Sequence, residues 1–212
     1  MTKYGKITAV LLVVWFVGVF SASALQLFEN QSNRFGLGVA VAALAPLIVF
    51  SLWFAASEGF RNFALSLNPK ILTSVQVWRI VGFTFLLLQA RNVLPAIFAL
   101  PAGYGDMFIG ATAGFVAWKL ADPAHRGSFI FWQALGILDL ISAVSFGTTA
   151  GLIDPQGPSM AAMTMLPLSL IPTFLVPLFM MLHVICIAQA RSWKAASQAR
   201  RAAAGPLQHP AI

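Results

Sequence analysis

The 212-residue chain is 59% hydrophobic and 9% charged, against roughly 25% charged in an ordinary soluble domain, so it cannot cover a water-facing surface. A net charge of +7 would point to nucleic acid in a soluble protein. At a mean hydropathy of +0.83 it reads instead as basic loops on the cytoplasmic side of a membrane, and no nucleic-acid partner is expected.

Apolar runs approach or reach the ~20 residues that span a bilayer. They predict one all-α bundle of six transmembrane helices over 1–190, with spans at about 7–27, 36–56, 71–89, 104–120, 128–146 and 165–190. Span 1 ends in Ser21-Ala22-Ser23-Ala24, which also fits a signal-peptidase site, but its apolar run is long for a signal peptide and reads as a retained helix. A polar turn at 30–34 leads to span 2, where Pro46 predicts a kink. The loop at 57–70 mixes Glu58, Arg61 and Lys70 with four apolar side chains and suits a short interfacial helix. Span 3 carries Gln76 and Arg79.

A Pro/Gly-broken elbow is expected at 90–105, with Pro95, Pro101, Gly103 and Gly105. Within span 4, Asp106, Gly110 and Gly114 recur every four residues and share a face. Gly110 and Gly114 form a GxxxG pattern that permits close approach of another helix, within the chain or in a homodimer. Span 5 holds Gln133 and Asp139. Span 6 is broken early by Pro167, Pro172 and Pro177 and holds His183 and Cys186. Residues 191–212 form a basic cytoplasmic tail of disordered composition. The prolines of the two halves do not align, so no inverted repeat is supported.

Charged and polar groups inside the spans carry the functional reading. Arg79, Asp139, Gln133, Gln76 and His183 all fall in the inner half of their spans and are expected to meet in one cluster. There Arg79 and Asp139 form an ion pair whose arginine is stranded if Asp139 is removed. Gln89, Arg91, Tyr104 and Asp106, with Asn92, form an outer cluster in which Arg91 and Asp106 can pair across the elbow. Met180, His183 and Cys186 stand at three-residue steps and are weak copper or haem candidates; no cofactor is assigned. The motifs CxxC, HExxH, Walker A and GxSxG are absent.

Gly103-Tyr104-Gly105-Asp106 resembles the GxGD motif of intramembrane aspartyl proteases. The resemblance implies Asp106 as one of two paired carboxylates. In that family the other aspartate comes earlier in the chain, whereas here none precedes Asp106 and Asp139 follows it.

The reading that fits best is a permease-like protein of a bacterial inner membrane, moving small solutes or protons through the cluster between spans 3 and 6. The rivals are a non-enzymatic subunit or scaffold packing through the GxxxG face, and a redox or metal protein at His183. Ten basic residues (3, 6, 61, 70, 119, 126, 191, 194, 200 and 201) fall on one side and two, Arg34 and Arg91, on the other. Both termini are therefore expected in the cytoplasm and 147–159 outside. Reporter fusions at Ile212 and Gln156 check this: a reporter at Ile212 active only on the outside contradicts it.

Overall fold

The computed structural model describes residues 2–29 and 36–203, with side chains described as far as residue 193. The described residues are mostly helical, with no strand among them, and five helical segments are long and apolar enough to cross a membrane: Lys3–Ala24, Leu37–Ala56, Pro69–Ala90, Pro123–Ile153 and Ile171–Trp193. Large apolar side chains such as Val10, Leu52, Trp78, Phe131 and Leu138 point outward, while Gln76, Arg79, Gln133 and His183 are buried. This inversion of the soluble pattern is what lipid as solvent requires.

Helices α1 (Lys3–Ala24) and α2 (Leu37–Ala56) lie at the periphery and bury few residues, Val19 and Ser23 in the first and Val39 in the second. They meet the rest through Trp15 and Phe16 against Phe174, and through the Ser169 hydroxyl, which donates to Ser23 Oγ at 2.8 Å. The turn expected at 30–34 lies outside the described residues. The short amphipathic helix after span 2 is present as α3 (Glu58–Ser66), capped by Ser57. Phe60 of α3 stacks on Trp53, and Arg61 donates to the last carbonyls of α2, Phe54 O and Ala55 O. Gln189 of α8 (Val176–Ala203) in turn donates to Leu67 O at 2.7 Å.

The third span is not one regular helix. It runs as α4 (Pro69–Ser74), a 3-10 stretch (Val75–Gly82) and α5 (Phe83–Ala90). A 3-10 run of 8 residues is well beyond the usual three or four, and in it residues three apart eclipse one another. Thr73, Gln76, Arg79, Gly82 and Phe85 are spaced by three, and all are buried. In an α-helix that row would drift by about 60° per step and swing Arg79 toward lipid.

The elbow is shorter than its composition suggests. Only 91–95 leaves helical structure, with Asn92 at φ 58°, and α6 (Ala96–Lys119) runs unbroken through Pro101, Gly103 and Gly105. The helix expected from 104 thus begins at Ala96. Proline one turn inside a helix is accommodated where neighbouring helices pack around it, as they do at buried Phe98, Ala99 and Ala102. α6 has 24 residues but is less apolar than the five segments above, because it carries Asp106 and four glycines.

α7 (Arg126–Ile153) is longer than expected, running seven residues past 146. The turn before it is closed by Asp122, which accepts from Ala124 N and His125 N; the hydrogen bond with the His125 side chain holds that carboxyl below its usual range. The sixth span starts later than 165. After a 3-10 turn (Ala161–Thr164) it winds as a π-helical segment (Ile171–Leu175), where Pro172 and Pro177 disturb the α ladder, and then as α8. Of the tail expected to be disordered over 191–212, residues 191–203 continue α8, and 204–212 lie outside the described residues.

Two apolar clusters flank the centre. One joins Leu72, Ile109, Val116, Phe129 and Ile185; the other joins Phe85, Leu94, Phe98, Met160 and Met163. Between them α6 crosses the 3-10 stretch so closely that a Cβ on Gly110 would collide with the backbone of Ile80. Gly114 does not share this contact. It is exposed, and a Cβ there would meet nothing within 4 Å, so within the chain the GxxxG face is one glycine and not two. Gly110→Ala should therefore destabilise the protein by about 1–3 kcal/mol, the scale of an overpacked core. Gly114→Leu should leave the thermal midpoint in detergent unchanged. Equal effects of the two substitutions would contradict the crossing.

Candidate functional site

Four residues sit near the centres of their own segments. Arg79 lies ten residues after Pro69 and eleven before Ala90; Asp106 lies ten after Ala96 and thirteen before Lys119. Asp139 lies thirteen after Arg126 and fourteen before Ile153; His183 lies twelve after Ile171 and ten before Trp193. They converge on the Arg79 guanidinium. Its Nε donates to Asp106 Oδ1 at 2.6 Å, and its Nη2 donates to Asp139 Oδ2. Its Nη1 faces Gly136 O at 3.3 Å and His183 Nε2 at 3.4 Å.

Arginine can only donate, so His183 Nε2 is the acceptor and Nδ1 carries the hydrogen. That hydrogen goes to Gln133 Oε1, with Nδ1 and Oε1 2.5 Å apart. Gln133 Nε2 donates to Thr73 Oγ1 at 3.0 Å, and Thr73 meets Cys186 Sγ at 3.8 Å. A continuous polar row thus runs from two carboxylates through a cation and a neutral imidazole to a buried amide, hydroxyl and thiol.

The charges do not cancel. One guanidinium faces two carboxylates, and among the described residues no second cation pairs with either acid. The Arg79 side chain is 1% exposed and each aspartate side chain 15%, so the acids, more than the cation, reach open space. Asp106 and Arg79 line a cavity of about 410 Å³ whose other walls include Trp78, Phe85, Leu175, Leu178 and Phe179. Asp139 lines a separate one of about 310 Å³ with Phe108, Leu135, Leu138, Ser142 and Phe146.

Glycines make the convergence sterically feasible. A Cβ on Gly82 would strike Asp106, one on Gly105 would strike Asp139, and one on Gly136 would strike the His183 ring. None of these three was an obvious site residue by chemistry. Their signal is spacing, because Gly82 and Gly136 stand three residues from Arg79 and Asp139 and so share their faces. Thr73, also unforeseen, reveals itself only as the first member of the period-three row.

The inner cluster comes together as Arg79, Asp139, Gln133 and His183. Gln76 is buried beside them, but its Nε2 turns to Phe179 O at 3.4 Å. The outer cluster does not form. Asp106 belongs to Arg79, while Arg91 and Tyr104 are exposed and Gln89 is half-buried. The error has one source: starting the helix at Ala96 puts Asp106 ~15 Å along it, at mid-span and not at the outer end. Met180, His183 and Cys186 do not assemble as ligands. Both His183 nitrogens are engaged, Nε2 by a guanidinium that would repel a metal, and no metal-holding group of three His, Cys, Asp or Glu occurs among the described residues. Asp106 and Asp139 do converge, as the two carboxylates of an aspartyl protease must. However, the Arg79 guanidinium engages both, which leaves no directly shared proton for a catalytic dyad.

The fold and site define an all-helical protein of membrane-length helices around a buried, charge-unbalanced polar centre. The chain belongs to the family described as a domain of unknown function (DUF8737), whose profile matches residues 34–191. That stretch holds every residue of the site and leaves out α1. No curated protein and no solved structure matches the chain.

Because Arg79 has two counter-ions, removing one does not strand it. Asp139→Asn should be tolerated, with Asp106 completing a neutral pair. Replacing both acids by asparagine should cost about 3–5 kcal/mol by leaving a buried arginine unpaired. Unfolding in detergent or mixed micelles measures both. A single variant as damaging as the double would contradict the shared-cation geometry.

Proposed function

We propose that the protein is a six-span, permease-like carrier of a bacterial inner membrane, with both termini cytoplasmic and α6 as its fourth span. It moves protons, or a small solute coupled to protons, through the Arg79 centre. The observation that carries this reading is the pair of carboxylates, one from α6 and one from α7, on a single guanidinium. With both acids ionised the centre holds one negative charge too many. In a poorly solvated interior such a charge costs several kcal/mol, so the centre takes up one positive charge from outside.

Uptake has a mechanical consequence. A proton on Asp106 weakens its hold on Arg79 and leaves the guanidinium to Asp139; a proton on Asp139 does the reverse. Loading thus shifts Arg79 between a tie to α6 and a tie to α7. The irregular 3-10 and π segments beside it provide backbone that can follow, and broken helices at mid-membrane are a recurring feature of transporter sites.

Purified protein in vesicles containing a pH-sensitive dye tests the proposal, with amines, amino acids, sugars and carboxylates added outside in turn. At least one class should drive a change in lumenal pH that protein-free vesicles lack, and the Asp106→Asn/Asp139→Asn variant should lose it. A lumenal pH that no class moves beyond the protein-free control would overturn the carrier reading.

A further inference from the structure

The cavity beside Arg79 has a chemistry that selects its occupant. Its walls are apolar and aromatic, with Trp78, Phe85 and Phe179 among them, and Arg79 and Asp106 are its charged members. At about 410 Å³ it lies within the range of small-molecule sites. Trp78 and Val81 form part of the wall and are also exposed on the apolar outer surface, 71% and 42% respectively. The cavity therefore borders the outer apolar surface at Trp78 and Val81.

The polar end accepts rather than donates. All three guanidinium nitrogens are engaged: Nε by Asp106, Nη2 by Asp139, Nη1 by Gly136 O and His183 Nε2. Four of its five N–H groups are thus used and two carboxylates already face its charge, so Arg79 is a poor anchor for an anionic ligand. What remains is acceptor capacity. Asp106 uses Oδ1 for Arg79 and keeps Oδ2. Added to the surplus negative charge, this acceptor calls for an N–H-bearing cation, and aromatic walls hold such a cation better than a neutral body alone.

We infer that this cavity binds a protonated amine carried on an apolar, ring-sized body: the ammonium group sits at Asp106, and the body lies among Trp78, Phe85 and Phe179. The inference rests on the carrier reading's charge count at Asp106 and names its substrate class. An amine crossing the lipid as the neutral base takes the proton held at Asp106, which leaves ammonium against carboxylate and restores the charge balance that the proton supplied.

The full chain in lipid nanodiscs tests this by calorimetry with 4-phenylbutylammonium, its carbon isostere pentylbenzene and the anion 4-phenylbutyrate. The ammonium should bind saturably, one per chain, at least tenfold more tightly than either analogue. Asp106→Asn should remove that preference, whereas Asp122→Asn, in the loop before α7, should keep it. Val81→Trp, which fills the cavity wall without touching a charge, should abolish binding, and it serves as the second test if Asp106→Asn does not fold. Equal affinity for the ammonium and pentylbenzene, or unchanged affinity in Val81→Trp, would overturn the inference. Proton movement in vesicles by another solute class with no ammonium binding defeats the substrate class and spares the carrier. Ammonium binding with the predicted preference, but without proton movement, supports the site and defeats the carrier.

Discussion

A buried arginine that cannot lose its proton constrains everything around it. Arg79 needs acceptors on every edge of a rigid fork, at mid-span, among helices whose outer faces are lipid-like. The fold supplies them from three other segments: Asp106 from α6, Asp139 and Gly136 O from α7, and His183 from α8. Remove that fork and these helices have no common polar partner; supply it and their relative rotations are set.

The backbone is shaped to deliver the fork. Period-three winding keeps Thr73, Gln76, Arg79 and Gly82 on one buried line, so one irregular stretch serves both the relay toward Cys186 and the ion centre. Glycines sit wherever two backbones or a backbone and a charged side chain must approach. In this bundle small residues therefore bring charges together as much as they bring helices together. Gly82 and Gly105 show this directly, one against Asp106 and the other against Asp139, as Gly110 does for two backbones. The two cavities then reach the centre through different acids, Asp106 in one and Asp139 in the other, which is the geometry that makes the two carboxylates unequal in what they can meet.

Much of this was legible in the chain. Apolar run length located five membrane-length segments because lipid thickness admits few alternatives, and depth alone paired Arg79 with Asp139 and brought in His183 and Gln133. What was misread is instructive. Residues 96–105 look like a loop by local propensity, with Pro101, Gly103 and Gly105, yet packing inside the bundle holds them helical. That shifts Asp106 from the rim to the centre and dissolves its pairing with Arg91. Of the GxxxG pair, Gly110 meets another helix within the chain and Gly114 does not, because a motif gives spacing but not which side a neighbour occupies. The 3-10 row was present in the sequence as buried-type residues every three positions from 73 to 85, a period that a search for α-helical faces passes over.

The account stands on one excess negative charge shared by two acids, and infrared spectroscopy of the lipid-embedded chain reads it directly. At neutral pH the wild type should show the C=O stretch of a single protonated carboxylic acid shielded from water. Asp106→Asn and Asp139→Asn should each abolish the band, since the remaining aspartate is then fully paired with Arg79 as a carboxylate. A wild-type spectrum with no such band, or a band that survives in both variants, would contradict the charge-unbalanced centre on which the functional reading rests.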